Sequence, residues 1–136
     1  MKREVGLWID HRKSVIVTFV NGNEMTREIR SDIEKHVRFS DGPQPKAKAS
    51  FLPQQPTAED ARDRRFADHL GKYYEGVILS IRDADAIWIF GPGEAKVELG
   101  KQLEQENLGR RIVGIDSMAR MTSRQIAAKV REHYSI

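Results

Sequence analysis

Hydrophobic positions along the chain follow two periods in succession. Val5-Gly6-Leu7-Trp8-Ile9 is a short apolar run, closed by the polar turn Asp10-His11-Arg12-Lys13. Ser14-Val15-Ile16-Val17-Thr18-Phe19-Val20 follows, dominated by β-branched and aromatic types. Both runs read as strands, and the second, apolar at nearly every position, reads as buried on both faces. Asn21-Gly22 marks a tight hairpin, because both residues tolerate the positive φ such a turn demands. Beyond it Met25, Arg27 and Ile29 alternate with Thr26, Glu28 and Arg30. That pattern predicts a half-exposed third strand over 24–33, its charges suited to a sheet edge.

The period then lengthens. Thr57 suits an N-cap, with Glu59 and Asp60 favourable in the first turn. Phe66, Leu70, Tyr73, Tyr74, Val77, Ile78 and Ile81 recur at helical spacing, which predicts a helix over 57–81. Gly71 and Gly76 interrupt it, each costing up to ~1 kcal/mol relative to Ala. Ala86-Ile87-Trp88-Ile89-Phe90 reads as a buried strand running into Gly91-Pro92-Gly93. A helix over 93–107 carries Ala95, Leu99 and Leu103 on one face. Arg111-Ile112-Val113-Gly114-Ile115 is a fifth strand, closed by Asp116-Ser117, and Thr122 with Gln125 forms the T-x-x-Q capping box of a last helix. The order is βββ-loop-αβαβα. Three antiparallel strands followed by strand–helix alternation predict an α/β fold with a mixed five-stranded sheet, in a single domain spanning 1–136.

Residues 34–56 carry no periodicity. They hold four of the chain's five prolines, Pro43, Pro45, Pro53 and Pro56, together with Lys46 and Lys48. Inside a compact domain a structureless loop longer than about 15 residues calls for a functional explanation. This basic, proline-rich loop between the third strand and the first helix is therefore the first place to look for function.

Composition narrows the classes. With 136 residues the chain can bury a sizeable core. The absence of cysteine excludes disulfides, thiolate zinc sites and thiol nucleophiles. No apolar run approaches a membrane span, and the N-terminus shows no signal-peptide pattern, so a soluble cytoplasmic protein with no membrane partner is expected. The formal charge of +3 is uneven, with basic excess over 34–56 and 109–136 flanking an acidic 85–108. Lys35, His36, Arg38, Lys46 and Lys48 surround the long loop, and Arg62, Arg64 and Arg65 follow on the helix beyond it. Cations on a projecting segment suit phosphate contact, and Phe39 and Phe51 suit stacking on unpaired bases. A second basic group comprises Arg110, Arg111, Arg120, Arg124, Lys129 and Arg131. Against both groups stands an ordinary solvated face, with Asp60, Asp63 and Asp68 pairing locally.

Other candidates are thinner. His11, His36, His69 and His133 lack ligand spacing, and no cofactor or metal site is expected. Gly91 and Gly93 lie where a strand feeds a helix N-terminus, an anion-binding place in principle. Yet Pro92 removes a donor, Glu94 adds a negative charge, and the Lys-Ser/Thr of a P-loop is missing, so a structural turn is the stronger reading.

The element order is that of a ribonuclease-H-like sheet, shared by many functions. The hairpin from Val5 to Val20, the stretch Ala84-Asp85-Ala86-Ile87-Trp88-Ile89-Phe90-Gly91-Pro92-Gly93 and the stretch Val113-Gly114-Ile115-Asp116-Ser117 together resemble the central domain of Pelota and the archaeal and eukaryotic class-1 release factors. The decoding and C-terminal domains of those factors are absent, which implies a stand-alone, bacterial-type central domain. In release factors a Gly-Gly-Gln loop at the place of 34–56 positions water to release the peptide. This chain has Gly42-Pro43-Gln44, where proline fixes φ near −65° and loses the freedom of a second glycine. Pelota-type proteins lack the motif and rescue ribosomes without hydrolysis. The resemblance thus implies a non-enzymatic translation protein that meets the ribosome, ribosomal RNA or tRNA through its loop. Peptidyl-tRNA release using Gln44 is one alternative, and a protein-interaction module or homo-oligomer paired through strand 24–33 is another. A two-metal nuclease would need carboxylates beyond Asp10 and Asp116; Asp10 reads as shaping a turn, Asp116 as opening the connection to the last helix.

Overall fold

Alternating apolar side chains need cover on both sides of a strand, and the sheet receives it from helices on its two faces. The computed structural model describes residues 2–31 and 58–136, the first turns of the long helix by backbone alone. The elements are β1 (Arg3–Ile9), β2 (Lys13–Val20), β3 (Asn23–Arg30), α1 (Ala58–Ile81), β4 (Ala86–Gly91), α2 (Ala95–Gln105), β5 (Ile112–Ser117) and α3 (Ser123–Tyr134), with a 3-10 turn, Gly109–Arg111, before β5. Strand order is β3-β2-β1-β4-β5. β1 pairs antiparallel with β2, and β2 with β3, whereas β4 runs parallel to both β1 and β5. The α/β class and the mixed five-stranded sheet read from the sequence are what the chain forms. Thr57 and the loop 34–56, with Lys35, Arg38, Gln44, Lys46 and Lys48, lie outside the described residues.

The hairpin turns at Asn21 (φ 54°) and Gly22 (φ 81°), the pair of positive φ angles that matches the twist of the flanking strands. A two-residue turn dictates register: Val20 faces Asn23, and counting outwards Lys13 faces Arg30. On one face Val5, Leu7, Ile9, Ile16, Ile87 and Ile89 meet Leu70, Tyr73, Val77 and Ile81 of α1 and Leu99 and Leu103 of α2. On the other, Trp8, Val15, Val17, Phe19, Trp88 and Phe90 meet Ile126, Ala127 and Val130 of α3. A Cβ on Gly6 would lie 2.4 Å from a Val130 methyl carbon, so the bare glycine is what lets α3 approach β1. The Thr122–Gln125 capping box forms as read, with both reciprocal bonds present.

Three expectations are refined. β3 is exposed at every position but Ile29 rather than half-exposed, because the main helix faces cover β1, β2 and β4; the last two residues of the expected strand 24–33 lie outside the described ones. α1 runs unbroken through Gly71 and Gly76. Asp116 sits within β5 rather than after it, and its carboxylate accepts the Trp88 indole N–H at 2.6 Å.

Candidate nucleic-acid interface

The carboxyl ends of β1 and β4, the end of β3 and the start of α2 all lie at one edge of the sheet. α1 runs back towards the start of β4, and its middle, at His69 and Tyr73, meets that edge. The edge is organised around Asp10. Its Oδ1 accepts the backbone N–H groups of Arg12 and Lys13, both at 2.8 Å, which closes the β1–β2 turn. Asp10 thus does what the sequence reading assigned it. Ser31 ties the end of β3 to the same turn: its N–H donates to the Arg12 carbonyl at 2.8 Å, and its hydroxyl to the His11 carbonyl at 2.5 Å. From α1, His69 Nε2 bonds the Ser31 carbonyl, and the Tyr73 hydroxyl donates to the Asp10 carbonyl at 3.1 Å. Ser31, the last described residue before the segment 32–57, therefore belongs to this edge, and α1, which begins at Ala58, meets it through His69 and Tyr73.

A second chain of contacts joins the turn to α2. His11 Nε2 lies 3.0 Å from Glu98 Oε1, the Tyr74 hydroxyl donates to the same oxygen at 2.5 Å, and the His11 ring meets Phe66 edge-on at 6.0 Å. Burial pushes the Tyr73 hydroxyl well above its ordinary value, with Asp10 adding to the rise. Burial does the same to Tyr74, and its bond to the Glu98 carboxylate raises it further. Both phenols stay protonated and act as donors, not as bases.

Arg62, Arg64 and Arg65 occupy the turns of α1 just before Phe66. Gly91 and Gly93 flank Pro92 at the end of β4. Gly91 has φ 147°, and a Cβ there would stand 2.3 Å from the Ile9 carbonyl oxygen, so its glycine is required by close approach of two strands. Gly93, at φ 67°, offers its carbonyl to the buried Lys96 ammonium. Beside this turn an open cleft of about 470 Å³ runs between Asp10, His11 and Arg12 on one side and Pro92, Gly93 and Glu94 on the other. Among the described residues no group of three or more His, Asp or Glu side chains is placed to hold a metal ion.

The second basic group of the sequence does not gather. Arg111 donates to the carbonyls of Arg82 and Ala84, at 2.6 and 3.0 Å, at the opposite edge of the sheet. Arg131 pairs with Glu24 at 2.5 Å and straps α3 to β3. Arg120 reaches the Asp10 edge, 3.9 Å from Oδ2. There it joins Arg12, Lys13 and Arg30, a cluster the sequence reading did not assemble.

No family model matches the chain, and no curated protein matches it in sequence. Solved structures do. Pelota from Thermoplasma acidophilum superposes with a TM-score of 0.55 at 12% identity, over 97% of this chain and 32% of that one. The archaeal translation termination factor aRF1 gives 0.53 at 11% identity, over 98% and 40%. Pelota from Archaeoglobus fulgidus gives 0.53 at 13% identity, over 98% and 32%. The chain thus spans well under half the length of these proteins, and the likeness establishes a shared fold.

Proposed function

We propose that this chain is a translation-related protein of the cytoplasm that associates with the ribosome or its RNA and performs no catalytic step of its own. The observation that carries the reading is a fold shared along 97–98% of the chain with Pelota and a translation termination factor. It is joined by the basic composition of the loop, which follows Ser31, a residue bonded to the turn at the Asp10 edge. In this reading Lys35, Arg38, Lys46 and Lys48 of the loop, with Arg62, Arg64 and Arg65 on α1, neutralise phosphates of ribosomal RNA or tRNA. The Asp10 carboxylate and the two buried phenols serve the turn and the helix contacts, which argues against an acid–base site at this edge.

Co-sedimentation with ribosomes at low and moderate salt tests the proposal. Association that weakens as salt rises, and that is lost in the Lys46→Glu/Lys48→Glu variant, is the expected result. Protein remaining at the top of the gradient under both conditions removes the translation reading. A peptide-release assay comparing the chain with Gln44→Ala addresses the hydrolytic alternative, for which the expected outcome is no release by either. One observation favours a second reading: β3 is a sheet edge exposed along nearly its whole length, open to pairing with a second copy. Light scattering that shows a monomer at all concentrations eliminates it.

A further inference from the structure

We infer that two copies of the chain join through β3, antiparallel and with Arg27 on the two-fold axis, so that two five-stranded sheets become one. The pairing of β3 rests on the second reading above; its register is the new step. Among the described residues no strand pairs with the outer side of β3, and every position of it except Ile29 is exposed. Which of its backbone groups face outwards follows from the hairpin. Val20 and Asn23 close the two-residue turn as a hydrogen-bonded pair, and such pairs recur at every second residue. The bond from the Ser31 N–H to the Arg12 carbonyl continues the same series. Asn23, Met25, Arg27 and Ile29 therefore spend their backbone groups on β2, and Glu24, Thr26, Glu28 and Arg30 turn theirs outwards.

Edge strands related by a two-fold run antiparallel, and the residue on the axis sets the whole register. With Arg27 there, Glu24 faces the second copy's Arg30 and Thr26 faces its Glu28, so all four outward residues of each strand pair. Met25 then faces Ile29. Met25 is 59% exposed and shares the face on which Ile29 packs against the core, so this pair covers apolar surface. On the α3 face the charges alternate. Within one copy Arg131 pairs with Glu24 at 2.5 Å and Arg30 with Glu28 at 2.8 Å. Glu24 opposite the second copy's Arg30 joins these two pairs into a row of alternating sign, an arrangement that favours the pairing. Neighbouring registers lose this match. An axis at Thr26 sets Glu24 against Glu28, and an axis at Glu28 sets that glutamate against itself and leaves Glu24 without a β3 partner. The register on Arg27 holds one like-charge pair, Arg27 with its own copy, which keeps the association weak.

The chain has no cysteine, so a single introduced cysteine reports one position. Residues in a non-hydrogen-bonded antiparallel pair have Cα atoms about 4.5 Å apart, within reach of a disulfide. Under mild oxidation of the full chain, Arg27→Cys should give a covalent dimer. Thr26→Cys should not, because the register sets it opposite Glu28, about 7 Å along the strand from its own copy. Met25→Cys and Ile29→Cys should cross-link when mixed and not when alone. Sedimentation equilibrium reads the non-covalent dimer: Arg27→Thr should lower its dissociation constant several-fold, and Arg30→Glu should abolish it. Circular dichroism confirms that the variants fold, and the cysteine pairs decide the register without Arg30→Glu if that variant does not. Wild type that is monomeric at all concentrations overturns the dimer and the second reading together. A dimer that Arg30→Glu abolishes but Arg27→Cys does not trap overturns the register and leaves pairing through β3 in place. A dimer indifferent to all these variants has its interface elsewhere, and overturns both. Ribosome association is read separately, by co-sedimentation, and stands or falls apart from these outcomes.

Discussion

A Cβ on Gly91 would stand 2.3 Å from the Ile9 carbonyl oxygen, in backbone already at φ 147°. Nothing flexible is available to give way, so Gly91→Ala should destabilise the fold by about 1–3 kcal/mol, as overpacking and strained backbone each do. Gly71 and Gly76 are the opposite case. Both lie in the interior of α1, and among the described residues a Cβ on either would meet nothing within 4 Å. Their replacement by alanine should add about 0.5–1 kcal/mol each through helix propensity and a less free unfolded chain. Urea denaturation of the three variants checks both signs. A lower midpoint for either α1 variant would mean that the helix needs those glycines for a contact the structure does not contain.

At the scale of elements, the last helix is the simplest to perturb. Thr122 accepts the Gln125 N–H at 3.2 Å, and the Gln125 side chain accepts the Thr122 N–H at 2.8 Å. Thr122→Ala removes the first bond and should cost about 1 kcal/mol, read as a lower urea midpoint with an unchanged slope. This box, the Asn-Gly hairpin and the helical stripe from Phe66 to Ile81 were legible in the sequence because each is a local pattern with a local cause. The register that sets Lys13 against Arg30 was legible too, by counting outwards from the turn. What was not legible depends on other elements. Alternation in β3 says which residues share a face, but not that no helix covers most of them. The basic group from Arg110 to Arg131 is contiguous only along the chain: its members go to opposite edges of the sheet, and only the irregular connection after β5 brings Arg120 to Asp10.

For the whole molecule, the three tyrosines of the chain are all clamps between layers. Tyr73 joins α1 to the end of β1, Tyr74 joins α1 to Glu98 of α2, and the Tyr134 hydroxyl donates to the Val5 carbonyl at 2.7 Å, joining α3 to β1. Burial is the first cause that raises all three hydroxyls above their ordinary 10.0, with nearby carboxylates (Asp10, Glu98 and Glu4 respectively) adding to it. The direction fixes the sign of the pH dependence. Below pH 10 both folded and unfolded chains hold these protons, and the clamps contribute fully. Above it the unfolded chain releases protons that the folded one retains, so stability falls as pH climbs, by about 1.4 kcal/mol per pH unit for each tyrosine. The chain should therefore be insensitive to these groups near neutrality and unfold cooperatively in alkali. Because no other tyrosine contributes, tyrosinate absorbance should rise together with the loss of helix and sheet signal, well above pH 10. Absorbance that titrates near the ordinary value while the secondary structure persists would show that the three clamps are open in solution, and that the helix layers are held by their apolar faces alone.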